Sequence, residues 1–208
     1  MTSRSPQDKP VIGIVGGVGA GKSTAAAEFV ALGCELVDAD AIGHELLREP
    51  DVLDAIRRRW GNGVLGADGQ VDRKALGRCV FRDEQELKAL NGILHPRIRR
   101  RMARQIARAR RTPGVRGVVV DAAVLFEAGW DNLCTHRVFV AAGAEDRFGR
   151  VARQRAWEHA TWQQREKSQI PLDKKQGECD YTLENCFGVS RLREQIRELF
   201  HRICPDVS

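Results

Sequence analysis

The sequence has no uninterrupted apolar run near the roughly 20 residues that a membrane-spanning helix needs. Its first ten residues are polar and include Pro6 and Pro10, so they lack the apolar stretch of a secretory signal. The six cysteines form no C-x-x-C pair, which argues against zinc and redox motifs of that kind and favours reduced thiols. We therefore expect a cytoplasmic chain without membrane partners, in which residues 1–10 form a disordered tail.

The charge of the chain is unbalanced towards positive. The net charge is +6 over 208 residues, and 42% of the residues are apolar. This length and composition predict one main domain, with room for a smaller appended one. The excess of positive charge favours anionic partners, which include both nucleic acids and polyphosphate nucleotides. No N/T-K-x-D segment is present, so the guanine motif of a GTPase switch is missing.

A glycine-rich segment, GGVGAGKS at residues 16–23, matches the phosphate-binding pattern GxxxxGK[ST]. It lies between the apolar run Val11–Val15 and a helix-forming stretch that begins at Thr24. Glycines let backbone N–H groups approach phosphate oxygens, a lysine can span the β- and γ-phosphates, and a hydroxyl suits Mg²⁺. The predicted nucleotide-binding residues are Gly17, Val18, Gly19, Ala20, Gly21, Lys22, Ser23 and Thr24, with Ser23 also predicted to bind the metal.

Four more short apolar segments are typical of buried parallel strands, and they alternate with helical stretches. They are Glu35-Leu36-Val37, Val118-Val119-Val120, Arg137-Val138-Phe139-Val140 and the weaker Tyr181-Thr182-Leu183. This order predicts an α/β fold with a doubly wound, parallel, five-stranded sheet. Ligands of such sheets bind beyond the carboxyl ends of the strands, so Asp38, Asp40 and Asp121 are expected to face the same crevice as Lys22.

A long insertion separates the second and third predicted strands. We predict a nucleotide-binding core of residues 11–43 and 115–208, and a helical substrate-binding insertion of residues 44–114. Helices are expected at 43–60, 72–80, 83–93 and 97–111. Pro96 marks the start of the last of these helices. That last helix is rich in arginine, which indicates either a solvated surface or a phosphate-binding one. A second arginine-rich region, at about 145–170, follows the fourth strand and is typical of a phosphotransferase lid.

Several motifs, in this order along the chain, resemble the dephospho-coenzyme A kinase family. After the glycine-rich loop come DADAI at 38–42, VLGADGQVDR at 64–73, VFRD at 80–83, LHPRI at 94–98, VDAAVLFE at 120–127 and Asn185. The resemblance extends from about Val11 to Ile203. It implies a P-loop kinase with a core, a helical substrate domain and a lid. It also implies the use of Mg-ATP to phosphorylate the ribose 3′-hydroxyl of dephospho-coenzyme A, with a kinase for another small acceptor as the alternative.

The resemblance suggests roles for particular side chains, and each has a simpler structural alternative. Asp40 is predicted to bind the acceptor hydroxyl or act as its base, with Asp38 as the alternate, although Asp40 could be only a helix N-cap. Asp121 could hold Mg²⁺ through water or merely end a strand. The remaining candidates are His95 and Glu127 for substrate binding, Arg150 for catalysis from the lid, and Asn185 for contact with adenine. Their alternatives are packing, helix capping, a solvated helix face and turn formation.

The chain departs from the family pattern at two places. Ala123 and Val124 stand where the family usually has proline and leucine before its LFE element. In the lid, Gln154 stands where a second arginine is usual, with Arg153 and Arg155 beside it as possible substitutes. The pattern resumes downstream at Arg165, Gln169, Lys174 and Asp180. Of the lid arginines, Arg147 is interpreted as solvated and Arg150 as functional. Nucleic acid is not expected as a partner, and the sequence leaves the oligomeric state open.

Overall fold

The structure, a computed structural model, describes residues 9–204, so the predicted disordered tail lies outside the described residues except for Lys9 and Pro10. Five strands form one sheet in the order β2-β3-β1-β4-β5, and every neighbouring pair is parallel. The strands are β1 (Val11–Val15), β2 (Cys34–Asp38), β3 (Gly117–Asp121), β4 (His136–Ala141) and β5 (Tyr181–Glu184). The predicted parallel five-stranded sheet is confirmed. No helix within residues 9–204 is both long enough and apolar enough to cross a bilayer.

Nine α-helices connect or follow these strands in the described part of the chain. They are α1 (Lys22–Ala31), α2 (Ala39–Leu46), α3 (Pro50–Trp60), α4 (Arg73–Val80), α5 (Glu84–Arg111), α6 (Ala144–Arg155), α7 (His159–Lys167), α8 (Leu172–Gly177) and α9 (Val189–Ile203). The chain divides into two compact units, one of Met1–Asp38 with Gln105–Ser208 and the other of Ala39–Arg104. The predicted insertion, 44–114, starts five residues and ends ten residues later than the second unit.

The core of the first unit lies between the sheet and the helices α1 and α9. Ile12 and Ile14 of β1 are fully buried, as is Val119 of β3. Phe29 of α1 and Phe200 of α9 face each other with ring centroids 6.5 Å apart. Because β1 and β3 are covered on both faces, their sequences read as continuous apolar runs rather than as alternating ones.

The register of the sheet brings acidic residues to one edge. Asp38 at the end of β2 pairs with Asp121 at the end of β3, and Ile14 of β1 is the partner of Asp121 on the other side. The chain leaves β1 at Val15 and passes directly into the glycine-rich loop. Parallel strands therefore deliver the loop and both carboxylates to the same edge of the sheet.

The second unit has a core of its own. It consists of Val52, Ile56, Val64, Leu76 and Val80, all buried. The helix α4 begins at the N-cap Asp72, whose carboxylate accepts hydrogen bonds from the backbone N–H groups of Lys74 and Ala75. These two bonds hold the pKa of Asp72 below its ordinary value. The DGQVDR segment at residues 68–73 thus acts here as a turn followed by a helix cap.

The structure contradicts the predicted separation of helices at Pro96. Instead of helices at 83–93 and 97–111, one continuous helix, α5, contains Pro96. Proline removes one hydrogen bond from a helix, but tertiary packing can outweigh that loss. Ile98 and Met102 are buried just after the proline, and the Arg97 guanidinium donates to the carbonyl of Ile93 at 2.8 Å. The predicted helix at 43–60 is likewise wrong as one element, because Pro50 begins a new helix, α3.

Several arginines of α5 are engaged with acidic side chains. In the second unit, Arg97 pairs with Asp51 at 2.9 Å, and Arg101 pairs with Glu45 and Glu49. The Arg97 guanidinium lowers the pKa of the Asp51 carboxyl, since hydrogen bonding and charge both favour the carboxylate. These ion pairs support the interpretation of the arginine-rich helix as a solvated surface. Some of its guanidinium groups pair with acidic side chains of the same unit.

Candidate functional site

The glycine-rich loop joins β1 to α1, and its backbone requires glycine at particular positions. Gly19 and Gly21 adopt φ values of +84° and +99°, which are strained for any residue with a side chain. A Cβ at Gly19 would also overlap the backbone of Arg147, and a Cβ at Gly21 would overlap the amide of Asn185. The loop is therefore in contact with two other segments of the first unit, α6 and the residues after β5.

Three side chains at the start of α1 and the end of β3 have the chemistry of a phosphate and metal site. Lys22 donates from Nζ to the carbonyl oxygens of Gly16 and Gly17, both at 3.0 Å. The Ser23 hydroxyl donates to Oδ2 of Asp121 at 3.0 Å. A hydroxyl beside a carboxylate offers the oxygen ligands that Mg²⁺ takes together with water and phosphate. The residues present therefore fit a magnesium–nucleotide complex.

Asn185 and Arg150 also hold the loop, through its backbone carbonyls. The Asn185 side chain is 5% exposed, and its Nδ2 donates to the carbonyl oxygen of Ala20 at 2.7 Å. Arg150 donates to the carbonyls of Asn185, Gly19 and Ala20. The structure thus brings two predicted residues together around the loop, whereas the contact of Asn185 with adenine stays a prediction.

The interpretation of Arg147 as a solvated side chain is wrong. Arg147 is only 5% exposed, and its Nη1 pairs with Oε2 of Glu166 on α7 at 2.5 Å. The guanidinium also lies over the ring of Trp162, 5.2 Å from the centroid. Arg147 lies in the first turn of α6, directly after β4, so it faces the edge of the sheet rather than solvent. Helical periodicity alone could not show that α7 covers this part of α6.

Glu127 belongs to a buried ion pair that the sequence did not reveal. Its Oε1 accepts from Nζ of Lys175 at 2.8 Å and from the backbone N–H of Ile170 at 3.0 Å. The Lys175 ammonium also donates to Oε1 of Gln169. Residues 123–129 form turns, so the interpretation of Glu127 as a helix cap is wrong. The contact of Glu127 with the acceptor substrate stays a prediction.

The buried lysine is Lys175 and not its neighbour Lys174, which the family resemblance had singled out. Lys175 is 1% exposed, while Lys174 is exposed to solvent. Adjacent lysines on a short helix point about 100° apart, so only one of them can face Glu127. The nearby Gln169 is a sequence signal for a buried lysine in this region. It does not indicate whether Lys174 or Lys175 points inward.

We expect Lys175→Met to lower the free energy of unfolding by about 3 kcal/mol, because it leaves the Glu127 carboxylate buried without its cation. Urea denaturation followed by circular dichroism measures this change. Lys174→Met is the matched control, since it removes the same charge from an exposed position and should change stability by less than about 0.5 kcal/mol. Equal effects of the two substitutions would contradict a specific role for the buried pair.

Two predicted acceptor residues lie in the second unit. Asp40 is exposed and lies within the first turn of α2, which begins at Ala39, so the structure does not place it at the N-cap. An acidic side chain there interacts favourably with the helix dipole. His95 lies inside α5, and burial lowers its pKa, so its imidazole is neutral near pH 7. The roles of both residues towards a substrate stay predictions.

The parallel sheet, the glycine-rich loop between β1 and α1, and the Ser23–Asp121 pair together define a P-loop kinase. A sequence model of the family described as dephospho-CoA kinase matches residues 10–190. The chain therefore belongs to the dephospho-CoA kinase family, and it is an enzyme of the transferase class.

Individual relatives agree with this assignment. A dephospho-CoA kinase of Symbiobacterium thermophilum is 35% identical over 195 residues, which cover 93% of this chain and 81% of that protein. A dephospho-CoA kinase of Chlorobaculum tepidum is 35% identical over 199 residues, covering 93% of this chain and 94% of that protein. A solved structure of a Thermus thermophilus protein is 30% identical with a TM-score of 0.80, and the similarity covers 93% of this chain and 97% of that one.

Proposed function

We propose that this enzyme transfers the γ-phosphoryl group of Mg-ATP to the ribose 3′-hydroxyl of dephospho-coenzyme A, giving coenzyme A and ADP, in the last step of coenzyme A synthesis. The observation that carries the proposal is the phosphate loop with its Ser23–Asp121 pair, within a chain whose family match extends over residues 10–190. The cytoplasmic location predicted from the sequence stays a prediction.

The donor half of the reaction is assigned to the first unit. The N–H groups of the loop and the N-terminus of α1 would bind the phosphates, and Lys22 would stabilise the charge that develops on the transferred group. Ser23 and Asp121 would hold Mg²⁺, Asp121 through water, and the ion would neutralise phosphate charge when bound. Arg150, which already contacts the loop, would add positive charge from the lid side.

The acceptor half is assigned to Asp40 and to the helical unit. A carboxylate beside the attacking hydroxyl can orient that hydroxyl and take its proton as the bond to phosphorus forms. Asp40 follows β2 by two residues and is exposed to solvent. Asp38, at the end of β2, is the alternate base. His95 and Glu127 are proposed to position the acceptor.

An ADP-release assay with Mg·ATP tests the proposal directly. We expect ADP formation that depends on dephospho-coenzyme A, with coenzyme A appearing in equal amount by chromatography. A panel with a nucleoside monophosphate, a sugar acid and shikimate distinguishes a kinase for another acceptor. No ADP above background with dephospho-coenzyme A would refute the proposed function, and faster turnover of another acceptor would reassign the substrate.

A further inference from the structure

The carboxylate of Glu166 is bound to the phosphate loop itself. Its Oε1 accepts the backbone N–H of Val18 at 2.8 Å, and Val18 is the central residue of the GGVGA segment. A Cβ at the neighbouring Gly17 would lie 2.9 Å from the same oxygen and 2.5 Å from Nη1 of Arg147. An acidic side chain from α7 therefore lies against the loop at Val18 and Gly17, where the absence of a side chain on glycine leaves room for an anion.

A second contact fixes the helix α7 at this position. Nε1 of Trp162, one turn before Glu166, donates to the carbonyl oxygen of Val18 at 3.2 Å. The Trp162 side chain is 6% exposed and packs beside Phe148 of α6, with ring centroids 5.8 Å apart. Side chains of α7 thus bind both the backbone N–H and the backbone C=O of Val18. The position of the carboxylate is set by packing and not by a single flexible contact.

A carboxylate and a phosphate oxygen require the same kind of donor. The N–H groups of a phosphate loop bind phosphate through charge-assisted hydrogen bonds, and Glu166 makes a bond of that type with one of them. Two anions cannot share one N–H at 2.8 Å, because their charges repel and the donor has a single hydrogen. Binding of a phosphate at Val18 therefore requires Glu166 to leave.

We propose that Glu166 is an internal competitor of the nucleotide phosphate: it holds the lid on the phosphate loop through Val18 and keeps Arg147 paired, and the phosphate displaces it. Displacement frees Arg147, whose Nη1 already lies against Gly17, to pair with the phosphate in place of the carboxylate. Glu166 is thus a positioning residue, and Arg147 is a phosphate-binding residue of the lid. This inference rests on the proposed binding of ATP by the loop.

The test is the affinity for ATP in the absence of acceptor, measured by isothermal titration calorimetry. Glu166→Gln keeps the shape of the side chain but removes its charge, so its bonds to Val18 and Arg147 weaken. We expect ATP to bind about tenfold more tightly to this variant, because more of the protein is then ready for phosphate. Adenosine has no phosphate to compete with Glu166, and its affinity should change less than twofold.

Two further variants separate this competition from other effects. Glu158→Gln removes one negative charge at the exposed N-cap of the same helix and should leave the affinity for ATP within twofold. Glu166→Asp keeps the charge but is one methylene shorter, so it withdraws from the Val18 N–H and should also bind ATP more tightly. Thermal unfolding verifies that each variant is folded, and Glu166→Asp carries the test if Glu166→Gln is not.

The outcomes are distinct. Unchanged or weaker ATP binding in Glu166→Gln would overturn the inference while leaving the proposed function intact. If Glu158→Gln bound ATP as tightly as Glu166→Gln, or if Glu166→Asp bound it no more tightly than the unsubstituted enzyme, the loss of negative charge in general would explain the effect. Either result would also overturn the inference. If the unsubstituted enzyme does not bind ATP, the proposed function itself fails and the inference fails with it. Tightening confined to the two Glu166 variants and to ATP supports it.

Discussion

Lys22→Ala is expected to lower kcat by about 10²- to 10³-fold, with the fold unchanged. The lysine ammonium lies against the loop, bound to the carbonyls of Gly16 and Gly17, from which it can move to the β- and γ-phosphates. Removing a preorganised charge that stabilises a transition state typically costs about 10²- to 10³-fold, and phosphoryl transfer depends almost wholly on such charges. The ADP-release assay under saturating substrates measures the change.

The matched control is Lys88→Ala. Lys88 makes an exposed ion pair with Glu84 on α5, so its loss removes the same charge from the chain without touching the loop. We expect the control to keep the unsubstituted rate, and circular dichroism spectra of both variants to agree with that of the unsubstituted enzyme. A Lys22→Ala variant with more than a tenth of the original kcat would contradict the role assigned to this lysine.

The parts of the fold that the sequence predicts are those governed by local pattern. A buried parallel strand reads as a short apolar run, so the centres of β1 and β3 follow from Val11–Val15 and Val118–Val120. The loop is equally local, since GxxxxGK[ST] fixes both the glycine conformations and the chemistry within eight residues. The approach of Ser23 to Asp121 follows as well, because the carboxyl ends of parallel strands meet at one edge.

The parts that the sequence does not predict depend on packing between distant segments. Arg147 carries the same charge as the exposed arginines around it, and it is buried only because Trp162 and Glu166 of α7 cover it. Lys175 is distinguished from Lys174 only by the position of Glu127, some 48 residues earlier in the chain. Helix α5 continues through Pro96 because tertiary contacts outweigh one lost hydrogen bond. None of these contacts leaves a periodic signal.

The family resemblance identified functional segments that hydrophobic periodicity could not identify. It did not predict which atoms of those segments make contact. It drew attention to Asn185, which the structure then places against Ala20 of the loop. It does not point to Glu166, whose hydrogen bond with Val18 depends on how α7 packs against the loop. Residues that hold a loop in position are thus harder to predict than residues that form it, because their effect passes through the packing of another helix.

Asp40→Asn is expected to lower kcat about 10²- to 10⁴-fold, the usual contribution of a positioned acid–base group, while the Kd for ATP changes less than threefold. The amide has nearly the size of the carboxylate but cannot take a proton from the acceptor hydroxyl. Asp40 is exposed in the first turn of α2, so the substitution should disturb neither core of the protein. Calorimetry with ATP and steady-state kinetics with dephospho-coenzyme A measure the two quantities separately.

Asp38→Asn is the decisive comparison, because Asp38 is the alternate base at the end of β2. If Asp40 is the base, Asp38→Asn should retain far more activity than Asp40→Asn, and only Asp40→Asn should lose the acidic limb of the pH–kcat profile, which reports ionisation of the base. The reverse order would transfer the role to Asp38. If Asp40→Asn lost stability without losing kcat, the carboxylate would serve only the helix dipole of α2, and the acceptor half of the site would have to be sought elsewhere.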